Sequence, residues 1–66
     1  MSVAKIIELS STSTVSFEDA IQRGIDKAEA TLRNVKGAWI AEQKVDVEGG
    51  KIVDYRVIMR VSFVLE

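Results

Sequence analysis

From Tyr55 to Leu65 every second residue is apolar, in the order Tyr55, Val57, Met59, Val61, Phe63 and Leu65, while Arg56, Arg60 and Ser62 stand between them. Side chains alternate across a strand, so this pattern predicts a long strand with one buried face, running from about Lys51 to Leu65. Gly49 and Gly50 precede it and supply the positive φ that a two-residue hairpin loop requires. A second strand, about residues 38 to 48, comes before that turn. A hairpin of this length is not stable alone, because its apolar face must be covered.

The cover is in the first half of the chain. Phe17, Ala20, Ile21, Gly24, Ile25, Ala28 and Leu32 recur at spacings of three or four, which predicts one buried stripe on a helix from about Phe17 to Asn34. Ser16 is placed to cap it, with Asp19 at the third helical position, Val15 in place to staple onto Ala20, and the cations of "RNVK" closing the last turn. Gly24 on the buried stripe costs ~1 kcal/mol relative to Ala, which points to a strand passing close. Before the helix, "VAKIIEL" (residues 3–9) reads as a strand and "SSTSTVS" as a loop. The result is a single α+β domain over residues 1–66, in the order β-α-β-β.

Size then becomes decisive. A chain of 66 residues buries only ~60% of the surface its unfolded form exposes, so its own core is marginal. The sequence has no Cys and no His, which removes disulfides and the ligands of nearly all structural zinc sites. Self-association remains, and a hydrophobic content of 47% fits a protomer covered by copies of itself.

The same inventory narrows function. Without Cys or His, thiol catalysis and His-assisted serine chemistry are excluded, and no carboxylates or lysines stand at a telling spacing, so the chain is not expected to be an enzyme. A net charge of -1 lacks the basic footprint of a nucleic-acid binder. No stretch approaches the ~20 apolar residues of a membrane span, and the apolar run in "MSVAKIIELSS" is too short for a signal peptide. A cytoplasmic location is expected.

If Glu48 pairs with Lys51 across the turn, an unbroken ladder sets Ile40 opposite Met59, Trp39 opposite Arg60 and Gln43 opposite Arg56. Trp39 then lies on the sheet face away from the helix, with Gly37, Gln43, Val45, Val47, Ile52, Arg56 and Ile58. A bulge in the hairpin would shift this register. Such an apolar and cationic surface marks an oligomer interface or a ligand site.

In order, length and ending, "KIIELSSTSTVSFEDAIQRGIDKAEATLRNVKGAW" followed by "YRVIMRVSFVLE" resembles the dodecins, over essentially the whole chain. The resemblance implies a three-stranded antiparallel sheet wrapped around one helix, and twelve copies forming a hollow shell. It also implies a ligand. Flavin-binding dodecins store riboflavin, FMN, FAD or lumichrome, using a Trp at the start of the second strand to stack on the ring and a Gln early in the third to bond its pyrimidine edge. Those two positions fall on Gly37 and Arg56, so both residues differ from the pattern.

Trp39 stands two residues further on and returns to the same face about 7 Å away. It reads either as a displaced stacking platform or as an interface aromatic with Arg60 over its ring. Arg56 has five donors and no acceptor, so it cannot accept from the flavin ring N–H but suits phosphate or carboxylate. Arg56 and Arg60, with Lys36, read as an anion site or as ion-pair partners of Glu42, Asp46 or Glu48. Asp46, Glu48 and Asp54 read as solvated charge or as oxygen ligands for a hard cation. The resemblance leads to a homo-oligomeric, dodecamer-type storage shell with flavin as the leading ligand, held at Gly37, Trp39, Gln43, Arg56 and Ile58. The alternative is a shell for an anionic ligand or a cation, or a purely structural one.

Overall fold

The computed structural model describes residues 3–65. Strand β1 (Val3–Ser13) leads into helix α1 (Phe17–Thr31), then strands β2 (Val35–Glu48) and β3 (Lys51–Leu65) follow as a hairpin. All pairings are antiparallel, and β3 is the central strand in the order β1-β3-β2. Centrality explains the sequence of β3: it needs a partner on each edge, and its apolar alternation lies under the helix. Val57, Met59 and Val61 are fully buried there, together with Ala20 and Ala28 of α1.

The helix start is as expected. Ser16 is the N-cap, and its hydroxyl accepts from the Asp19 N–H at 3.0 Å. The staple is absent, since Val15 is 66% exposed. Ser13 Oγ accepts from the Val15 N–H at 2.9 Å and so sets the chain direction before the helix by a hydroxyl turn instead.

Three boundaries differ from the sequence reading. β1 continues through Ser13, because the long central strand offers it ladder partners as far as Tyr55 and tertiary pairing outweighs the polar composition of "SSTS". The helix stops at Thr31, three residues early, and no basic residue lies in its last turn. Asn34 takes a left-handed conformation (φ 60) that Asn tolerates well, and its carbonyl accepts from the Val64 N–H at 3.1 Å. That bond joins the chain to β3 and starts β2 at Val35, before the expected residue 38.

At the other end, Gly49 and Gly50 both have positive φ (59 and 79), as the two-residue turn requires. A helix of 15 residues spans about 22 Å, whereas a strand of that length spans about 50 Å. The molecule is accordingly 51 Å long, and much of the hairpin has no helix over it. Val47, Ile52 and Val53 are exposed on that overhang.

Ser13 also ties β1 to α1. Its hydroxyl donates to Asp19 Oδ2, which accepts from Arg23 Nε at 2.7 Å. The Ser13 bond first, and the Arg23 bond second, hold the Asp19 carboxyl below the ordinary carboxylate range. A depressed folded-state pKa contributes stability above the unfolded value and loses it as pH falls through the folded one. Acidification below about pH 4 therefore weakens this junction. In Asp19→Asn that part of the acid-side loss should be missing, which urea midpoints taken on both proteins from pH 6 downward at about unit steps would register. A midpoint that falls equally in both would remove Asp19 from the acid response.

Candidate functional site: the outward sheet face

Residues that pair across antiparallel strands share a sheet face. Tyr55 packs edge-on against Phe17 of the helix at 5.2 Å between ring centroids, so the β3 residues in step with it face α1, and Arg56, Ile58, Arg60 and Ser62 face outward. The pairings then give the outward surface row by row. Ile6, Ser62 and Gly37 form one row, and Glu8, Arg60 and Trp39 the next. Ser10, Ile58 and Glu42 follow, then Thr12, Arg56 and Lys44.

The first part of the expected register is present: Trp39 pairs with Arg60, Ile40 with Met59 and Gly37 with Ser62. Its middle is not. One irregularity lies between Ile40 and Glu42 and another between Asp46 and Val47, and between them the ladder is displaced by one residue. Gln43 therefore pairs with Val57, not Arg56, and Val45 pairs with Tyr55. A one-residue slip reverses faces, so Gln43 and Val45 stand on the helix side of the sheet. Lys44 takes the place beside Arg56.

Of the five expected ligand residues, the fold brings Gly37, Trp39, Ile58 and Arg56 to one face and leaves Gln43 on the other. Trp39 is 45% exposed and Ile58 half-buried. Ser62 Oγ donates to the Gly37 carbonyl at 3.3 Å, and a Cβ at position 37 would meet that Oγ at an ordinary 3.6 Å. The fold itself does not demand glycine there.

The charges are mostly engaged. Arg56 pairs with Asp46, one of the three ion-pair partners considered for it, at 3.2 Å, and Lys44 approaches the same carboxylate at 3.6 Å. Asp46 faces Asp54 across the ladder, yet no three acidic side chains among the described residues are grouped to hold a metal. Among the described residues no cation lies over the Trp39 ring, Arg60 included. The Arg60 Nε donates to Glu8 Oε2 at 3.3 Å, across the opposite strand. Glu8 was missed by the sequence reading because nothing there placed β1 beside β3; its position between the inward Ile7 and Leu9 was the available signal.

A separate cleft of about 330 Å³ lies near the end of β3, lined by Arg33, Asn34, Phe63, Val64 and Leu65. Among the described residues its lining holds the cationic residue Arg33 and does not include Trp39. No helix of the described residues is long and apolar enough to cross a membrane.

Three antiparallel strands and one helix in the order β-α-β-β are the fold of the dodecin class of protein. The family model for dodecin matches residues 3–66, and the chain belongs to the dodecin family. It is similar to the calcium dodecin of Mycobacterium tuberculosis, 32% identical over 63 residues that cover 96% of this chain and 89% of the relative. The tt0972 protein of Thermus thermophilus has the same fold at a TM-score of 0.94 and 32% identity, covering 100% of this chain and 97% of that one. A dodecin from Streptomyces davaonensis aligns at a TM-score of 0.92 with 28% identity, covering 98% and 96% of the two chains.

Proposed function

We propose that this chain is the protomer of a homo-oligomeric, dodecamer-type shell that sequesters a flat aromatic small molecule rather than converting it. Flavin (riboflavin, FMN or FAD) is the leading ligand. The observation that carries the reading is Trp39, half exposed on the outward sheet face with, among the described residues, no guanidinium over its ring. An indole in that position offers a stacking surface, and Ile58 on the neighbouring strand extends it with apolar area. Self-association is supported by the apolar side chains left exposed on the protomer, among them Ile6 beside Trp39's row and Val47 and Ile52 on the overhang.

Arg56 stands where flavin-binding dodecins carry Gln, and Asp46 already occupies it. Ring recognition therefore rests on stacking more than on a paired amide, which implies weaker discrimination among flat ligands. The test is a fluorescence titration of the stripped oligomer into dilute riboflavin and FMN. Wild-type protein should quench flavin emission saturably. Trp39→Ala should bind about tenfold or more weakly, corresponding to the loss of about 1–3 kcal/mol of stacking. Equal quenching by both proteins would remove Trp39 from the site.

A second reading comes from the relative named calcium dodecin: a shell that binds calcium. Here Asp46 and Asp54 oppose one another, but Asp46 is engaged by Arg56 and Lys44, so a calcium site at this place needs carboxylates from another copy. Thermal unfolding with and without millimolar Ca²⁺ distinguishes the two, since a ligand of the folded state raises the midpoint.

A further inference from the structure

Arg60 lies between two possible partners. On β3 it is flanked by Glu8 of β1 on one side and Trp39 of β2 on the other, all three in one row of the outward face. A guanidinium in that position can pair with the carboxylate or lie over the indole, and cross-strand neighbours on both sides are within its reach. It takes the carboxylate, with Nε donating to Glu8 Oε2 at 3.3 Å. Among the described residues the one aromatic contact is Phe17 on Tyr55, and no cation covers Trp39.

We infer that Glu8 is a positioning residue of this site: by holding Arg60 toward β1 it keeps the Trp39 ring open to a flat ligand. The inference rests on the binding role proposed above for Trp39, but the position of Arg60 can be tested without any flavin. Both members of the ion pair are about half exposed, so the pair is held weakly and the alternative contact is of comparable strength. Removing the carboxylate charge should therefore change the balance. Arg60 then turns to the indole, and the platform closes.

Glu8 does this from an edge strand that is not adjacent to the strand of Trp39. The side chain has no need to touch the ligand. Its role is to occupy a donor that would otherwise compete for the same aromatic face, which makes it a determinant of affinity through Arg60. Length matters as well as charge: Glu8→Asp keeps the charge but shortens the reach, so it should fall between wild type and Glu8→Gln.

The experiment uses the intact oligomer, its assembly checked by light scattering, and reads Trp39 by its own emission, which is unambiguous because the chain has one tryptophan. Acrylamide is the quencher, being neutral and indifferent to nearby charge. Glu8→Gln should lower the quenching constant roughly two- to fivefold, the population change that an exposed cation–π contact produces. Adding Arg60→Met to Glu8→Gln should restore it. Arg60→Met alone should leave quenching at the wild-type level, which tests the claim even if Glu8→Gln assembles poorly.

An unchanged constant in Glu8→Gln, or a raised one in Arg60→Met alone, would overturn the inference, the latter because it would mean that Arg60 already shields the ring. Riboflavin titrated into the same proteins should show weaker binding by Glu8→Gln and recovery in the double variant. If wild-type protein binds no riboflavin while acrylamide still reports closure in Glu8→Gln, the positioning role stands and the flavin assignment falls.

Discussion

Met59→Ala is expected to lower stability by about 2–5 kcal/mol, the usual cost of emptying a fully buried site of that size. Met59 is fully buried on the central strand, paired with Leu9 on one side and Ile40 on the other, and it lies directly beneath Gly24 of the helix. The core around it is small, with Ala20, Ala28, Val57 and Val61 as its other buried apolar members. Partly buried side chains, among them Leu9, Ile25 and Ile40, pack against this cluster, and how far they can close the space sets where in that range the cost falls. For a domain of 66 residues such a loss is a large part of the stability available, so the isolated chain should not persist and assembly of the proposed shell should be impaired. Urea unfolding of both proteins at one fixed protein concentration measures the difference, because oligomer stability depends on concentration. A midpoint within experimental error of wild type would mean that Met59 is not the centre of the core.

Gly24→Val should be similarly damaging, for the opposite reason. A Cβ at position 24 would stand 2.9 Å from Met59 Sδ, 3.2 Å from Leu9 Cδ1 and 3.3 Å from Ser11 Cβ, all on the sheet below the helix. Helix propensity favours replacing glycine by ~1 kcal/mol at most, in the case of Ala. Overpacking costs about 1–3 kcal/mol and rises with the two further methyls of Val, so crowding wins. The two sites should also be coupled. In the Met59→Ala background the closest of these contacts is gone, and Gly24→Ala should cost less there than in wild type by about 0.5–3 kcal/mol. Additive effects in that cycle would contradict the packing described here.

The alternation of β3 and the three-and-four spacing of the helix stripe were legible because each repeats over many residues, and a single buried face explains each. Gly24 was legible for a related reason: a glycine in the middle of an apolar stripe has a cost that only a close neighbour offsets. The limits of the elements were not. "SSTS" has loop composition, and only the length of the strand beside it makes it part of a ladder; the helix end depends on Asn34, whose left-handed backbone and bond to Val64 involve residues thirty apart in sequence.

The site divides along the same line. Trp39 was correctly set opposite Arg60, since the hairpin turn fixes register and the two irregularities cancel by that point. Gln43 lies between them and takes the displaced register, so its face could not be read from the turn. Glu8 required knowledge that β1 and β2 flank β3 on opposite edges. Its place between Ile7 and Leu9 marks it as outward, but no local pattern shows that it stands beside Arg60.

The central claim is that a flat ligand rests on Trp39, and the indole N–H of the protein labelled with nitrogen-15 at tryptophan reports on it through a single resonance, there being one Trp. Titration with FMN should move that resonance progressively and saturate together with the quenching of flavin emission. A resonance that stays in place while FMN binds would put the ligand elsewhere, and one that stays in place with no FMN bound would make Trp39 part of a shell that holds no flavin.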